Sequence, residues 1–87
     1  MFKSTNEFDI AAYQILQKLV NSGKLEKPSQ EMSDNDYCEA LELLEKRRHI
    51  TGLQCQRTAA NTVAVNIMQN VAATYEGLAF IEKFNFD

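Results

Sequence analysis

The apolar period changes along this chain, and that change limits what it can fold into. Before about residue 48, apolar side chains recur every three or four positions; from Ile50 they alternate, and from Tyr75 the helical spacing returns. The expected order is therefore helix, helix, β-hairpin, helix. The spacing predicts helices over roughly Phe8–Asn21, Asp34–Arg48 and Tyr75–Phe84, with the hairpin over about Ile50–Met68. With 87 residues the chain makes one domain, 1–87, near the lower size at which a core folds without a disulfide or metal.

Local signals sharpen each element. Ser4 lies three residues before Glu7, the spacing of a capping box, with Thr5 and Asn6 as alternative caps. Phe8, Ala11, Ala12, Ile15, Leu16 and Leu19 then form one helical stripe, with Ile10 almost opposite it beside Tyr13. Gly23 suits the left-handed turn that ends such helices. Between Lys24 and Ser33 at most one helical turn fits, and Leu25 and Met32 are placed to plug the core on either side of it. Ser33 and Asp36 repeat the cap spacing, and Tyr37, Ala40, Leu41 and Leu44 make the second stripe. In the hairpin, Leu53, Cys55 and Arg57 share one strand face, and Val63, Val65 and Ile67 share a face of the next. The polar stretch Gln56–Thr62 is too long for a two-residue turn and predicts a soft tip. Gly52 marks a bulge, a close backbone approach or a weak point in the strand. Thr74 caps the last helix, whose stripe is Gly77, Phe80, Ile81 and Phe84; a glycine there predicts a very close neighbour.

This element order predicts an α+β fold of the winged helix-turn-helix type: three main helices, a β-hairpin wing and a shortened middle helix. The run from Tyr37 through Leu44, then EKRRHITGL, a hairpin and TYEGLAFIEK resembles the YjcQ-type winged-helix proteins of Gram-positive bacteria and their prophages. The matching positions are Ile50, Gly52, Thr74, Gly77, Phe80, Ile81 and Glu82, and the resemblance spans about Ala11 to Lys83. It implies a winged-helix fold and a phage or mobile-element origin, and carries over no functional residues. Where that family more usually has a Gly-Tyr turn after its basic pair, this chain has Arg48-His49.

Charge divides the functional expectations. The second helix, which would enter the DNA groove in such a fold, holds Asp34, Asp36, Glu39, Glu42 and Glu45 before its first basic residue, Lys46. Its face opposite Tyr37 and Leu44 holds Asn35, Glu39, Glu42, Leu43 and Lys46. Carboxylates there oppose a phosphate lattice with about one charge per 1.7 Å. One expectation is a small transcriptional regulator that contacts double-stranded DNA through Lys46, Arg47, Arg48, Arg57, Thr58 and Asn61, at the basic helix end and the wing. The other is a phage-encoded modulator that binds a host protein through Asn35, Glu39, Glu42 and Leu43. Leu78 and Ala79 lie off the main stripe of the last helix and Phe86 lies beyond its end, which suggests a homodimer through that helix.

Catalysis is not expected. His49 has no Ser or Cys nucleophile beside it, and the acidic residues at 36, 39, 42 and 45 drift around their helix instead of converging on a metal. No catalytic residue, metal or cofactor is assigned. Cys38 and Cys55 lack paired metal spacing and read as reduced, buried thiols of a cytoplasmic protein. A net charge of −3 offers no global attraction to acidic membranes, and neither a secretory leader nor a membrane span is expected.

Overall fold

The computed structural model describes residues 2–84. It holds α1 (Thr5–Ser22), α2 (Asp34–Lys46), β1 (Ile50–Arg57), β2 (Val63–Ala73) and α3 (Tyr75–Lys83). The two strands form one antiparallel sheet, so the class is α+β, with three helices and a hairpin. No described helix is long and apolar enough to cross a membrane. Phe86 lies outside the described residues.

Helix α1 begins three residues earlier than its apolar stripe predicts, because its start is set by the cap. Ser4 Oγ accepts from the Glu7 amide at 3.2 Å. The Glu7 carboxylate reaches back to the Lys3 amide, also 3.2 Å, one residue before the bond of a standard capping box. Ala11, Ala12, Ile15, Leu16 and Leu19 are buried as their spacing requires, and Phe8 is half-buried. Ile10 is half-buried instead of exposed, since it lines a shallow groove with Phe2, Ala11 and Met32. Between α1 and α2 the chain makes only a turn, closed by the Met32 amide donating to the Ser29 carbonyl at 3.2 Å. Leu25 and Met32 pack on the core from either side of it.

Helix α2 stops at Lys46, short of the expected Arg48. The Arg48 amide donates to the Glu45 carbonyl at 3.1 Å and the His49 amide to the Leu44 carbonyl at 3.0 Å, the paired bonds of a Schellman ending. That motif requires a left-handed residue, and Arg48 supplies it at φ 61°.

The hairpin is longer and tighter than alternation suggests. Strand β2 runs on to Ala73, and the tip shrinks to Thr58–Thr62. The tip is bound, not soft. The Thr58 amide donates to the Thr62 carbonyl at 2.8 Å, the two threonine hydroxyls meet at 2.8 Å, and Asn61 turns left-handed at φ 62°. Leu53 pairs with Ile67, Cys55 with Val65 and Arg57 with Val63, so the two expected faces lie on one side of the hairpin, with Leu53 and Val63 buried, Cys55 and Val65 half-buried, and Arg57 and Ile67 exposed. The register then slips at Gly52, whose φ of 92° marks an irregularity of the bulge type. Beyond it Thr51 pairs with Ala72, so residues 68–71 of β2 have only Gly52 opposite them.

Helix α3 is seated on the corner between α2 and β1. Thr74 Oγ accepts from the Gly77 amide at 3.1 Å and donates to the Arg48 carbonyl at 2.5 Å, while the Thr74 amide donates to the His49 carbonyl at 3.0 Å. Gly77 lies against that same carbonyl, and a Cβ on it would sit 2.1 Å from the oxygen. The neighbour that the glycine predicts is thus the backbone of the turn after α2. Two substitutions should move stability in opposite directions, as read by urea denaturation. Gly77→Ala should cost about 3 kcal/mol by overpacking against backbone. Arg48→Gly should gain about 1 kcal/mol by relieving a left-handed arginine. A Gly77→Ala protein as stable as the parent would contradict this seating of α3 on the turn backbone.

Candidate interaction surface

Helix α2 lies between α1 and the hairpin, and this decides which of its side chains remain free. Ala40, Leu41 and Leu44 face the main core. The hairpin covers a second side of the helix, that of Cys38, Glu42 and Glu45. Burial, followed by the charges of Glu45 and Glu42, pushes the Cys55 thiol of β1 up to about 11. Glu42 is only 7% exposed, so it does not belong to an open acidic face as its helical position suggests. Burial of the carboxylate requires a partner. Arg57 provides it, with Nη2 at 2.9 Å from Glu42 Oε1, while Nη1 of the same guanidinium donates to the Asn61 carbonyl at 3.2 Å. Lys46 stands 3.9 Å from the other Glu42 oxygen. Arg57 and Glu42, placed by sequence on two rival binding surfaces, are therefore each other's partners.

The other assigned residues fare differently. Arg47 Nη1 donates to Asp9 of α1 at 2.9 Å, tying the end of α2 to the first helix. Asp9 is a counterion invisible to sequence reasoning, because nothing in its local pattern links it to a residue thirty-eight positions away. Arg48 is exposed and forms no ion pair among the described residues. Lys46 is mostly exposed, and its separation from Glu42 makes that contact weak. Thr58 is engaged with Thr62 across the hairpin tip; Asn61 is exposed there and gives its carbonyl to Arg57. On the acidic side, Asn35 Nδ2 donates to Glu39 Oε2 at 2.9 Å, and Leu43 packs partly against the core. The open strip of α2 is thus narrow: Asn35 and Lys46 are exposed and Glu39 between them is half-buried. Asp34 at its start is paired with Lys27.

A different exposed surface appears on α3. Tyr75 is 84% exposed and Leu78 42%, and their spacing of three puts them on one side of the helix. Glu82 follows four residues after Leu78 and is also exposed. The apolar spacing signalled Leu78 in advance. Tyr75 carried no signal beyond being the first residue of its helix.

The cysteines are free and half-buried, not fully buried. Burial and then Asp34 raise the Cys38 thiol above its ordinary value, so both sulfurs favour the protonated, unreactive form. Comparison with known proteins finds no matching family model, no matching curated protein and no matching solved structure.

His49, in the turn between α2 and β1, stacks on Phe80 with ring centroids 4.9 Å apart. Its Nδ1 is buried and has no hydrogen-bond partner among the described residues. Burial lowers its pKa below the usual 6.5 and Arg47 lowers it further, against smaller opposing effects of Glu76 and Asp9. The unfolded chain therefore binds the proton more readily than the folded one. Stability should fall as pH drops through 6.5 toward the lower folded value and level off beneath it. Urea midpoints from pH 7.5 to 5.5 should show this slope, and His49→Phe should flatten it. An unchanged slope in that variant would rule out His49 as the cause.

Proposed function

We propose that this chain is a small protein-binding module on a winged-helix-type framework, in which the hairpin stands as the wing and α2 takes the place of the recognition helix. One observation carries the reading: Arg47 and Arg57, two of the three arginines expected to meet phosphate, are held by carboxylates of the chain itself. A DNA reader of this architecture needs its second long helix free to enter the major groove. Here the hairpin covers part of α2, and its open strip carries Glu39 and Asn35 beside a single lysine. The face offered instead is Tyr75 and Leu78, an exposed aromatic with an aliphatic neighbour, flanked by Glu76 and Glu82. Tyrosines so placed are frequent anchors of protein interfaces. A partner with an apolar cleft and a basic rim fits this surface. Together with the family resemblance, it supports a phage-type modulator of a host protein.

A second reading, a DNA-associated transcriptional regulator, draws on Arg48. An arginine kept in a left-handed position that glycine fills at lower cost is a strained, exposed cation next to Lys46. The two readings separate in a duplex titration followed by fluorescence anisotropy at low and moderate salt. The module predicts no saturable binding below about 50 μM, and a salt slope corresponding to fewer than about two phosphate contacts. It further predicts that Tyr75→Ser releases the cellular partner while Arg48→Ala does not. Submicromolar duplex binding that Arg48→Ala abolishes would overturn the module and favour the regulator.

A further inference from the structure

We infer that protonation of His49 releases α3 from the turn after α2 while α1, α2 and the hairpin stay packed, so that the closing helix is an acid-sensitive element of the fold. His49 is the chain's single histidine, so one imidazole makes the whole switch. The device does not depend on what the face of Tyr75 and Leu78 binds.

Two parts of this residue seat the helix. Its carbonyl accepts from the Thr74 amide at 3.0 Å and lies against Gly77. Its imidazole stacks on Phe80, about one turn further along α3. Little else in α3 is deeply held. The fully buried core is built from α1, α2 and β1, and α3 adds Phe80 and Ile81 at its margin. An element with so few buried contacts opens more readily than the core it rests on.

The neutral ring suits this seat and the charged ring does not. A neutral imidazole can carry its proton on Nε2 and leave the buried, unpartnered Nδ1 bare. Protonation puts a second N–H on Nδ1, a charged donor in a place where no described residue offers an acceptor. The face of Phe80 attracts a cation, but the two rings lie within 25° of parallel, so an N–H in the imidazole plane does not point at it. Burial and then Arg47 keep the proton off the ring, against smaller effects of Glu76 on α3 and Asp9 on α1. Asp9 is already the partner of Arg47, and Arg48 between Arg47 and His49 is exposed. The end of the hairpin beside the turn, where Ile50 pairs with Ala73 and Thr51 with Ala72, adds no charge.

The charge is relieved by carrying the ring into water, and that breaks the stack on Phe80. The contact at Gly77 adds no apolar side chain. Without the stack the turn holds α3 through the hydrogen bonds of Thr74, which water can replace. The stability that His49 loses in acid is thus drawn first from α3.

The test is amide hydrogen exchange of the full chain, followed by NMR at about pH 7.5 and about pH 5.5 and corrected for intrinsic rates. The Leu78 and Phe84 amides donate to the Thr74 and Phe80 carbonyls. Their protection should fall at least about threefold relative to that of Leu16 and Leu41 as the single imidazole signal titrates. His49→Phe keeps a ring on Phe80 without a titrating nitrogen and should hold α3 protection level across this range. Where that variant does not fold, Glu76→Gln, which removes an attracting charge at an exposed position, should move the imidazole titration to lower pH and the α3 loss with it. An imidazole that titrates while α3 protection stays level would show the ring swinging out without the helix and overturn the proposal. So would a loss shared equally by α1, α2 and α3, or one that persists in His49→Phe.

Discussion

Much of this structure follows from the position of α2, a thirteen-residue helix that packs against α1 on one side and the hairpin on another. A domain this small has few surfaces with which to build a core, so its central helix must be covered on more than one side. That covering draws Glu42 out of solvent. A buried carboxylate is tolerated when it is paired and hydrogen-bonded, and the guanidinium of Arg57 meets it from β1. The same guanidinium binds the Asn61 carbonyl, so one side chain joins the second helix, the first strand and the hairpin tip. Arg47 and Asp9 form the corresponding tie between α2 and α1. Arg47 and Arg57 are thus used to hold the molecule's own elements together.

The closing helix is fixed by contacts with backbone, not by deep side-chain burial. Gly77 is its buried residue, lying against the His49 carbonyl, while Thr74 bonds the two residues after α2. Around this seat His49 stacks on Phe80, Phe80 meets Phe84, and Phe84 stacks on Tyr13 of α1. The aromatic chain carries α3 back to the first helix. It leaves the outward side, with Tyr75 and Leu78, uncovered. The close approach that seats α3 also leaves an apolar face toward solvent.

Periodicity made most of the fold legible. Helical spacing located the buried residues of α1 and α2, alternation gave the residues that share a face of the hairpin, and Gly52 and Gly77 marked a strand irregularity and a close contact. Boundaries were less legible, since they depend on terminal bonds. The Glu7 amide sets the start of α1, and a left-handed Arg48 ends α2 early despite the favourable cations beside it. The candidate surfaces were the least legible part. A helical wheel places Glu42 opposite Leu44 and therefore in solvent, because it treats the helix as having one buried side. Two neighbours give it two. Which arginine meets which carboxylate depends on how α1 and the hairpin lie across α2, and no local pattern encodes that.

The central claim is that Arg57 acts as an internal counterion of Glu42. A double-mutant cycle with Glu42→Gln, Arg57→Met and the double variant measures it most directly. Because Glu42 is buried while Arg57 is partly exposed, the coupling should be about 1 kcal/mol and should survive in about 0.5 M salt. A coupling near zero, or one that salt abolishes, would contradict the claim and show that the pair is a dispensable surface contact, leaving Arg57 free to meet phosphate.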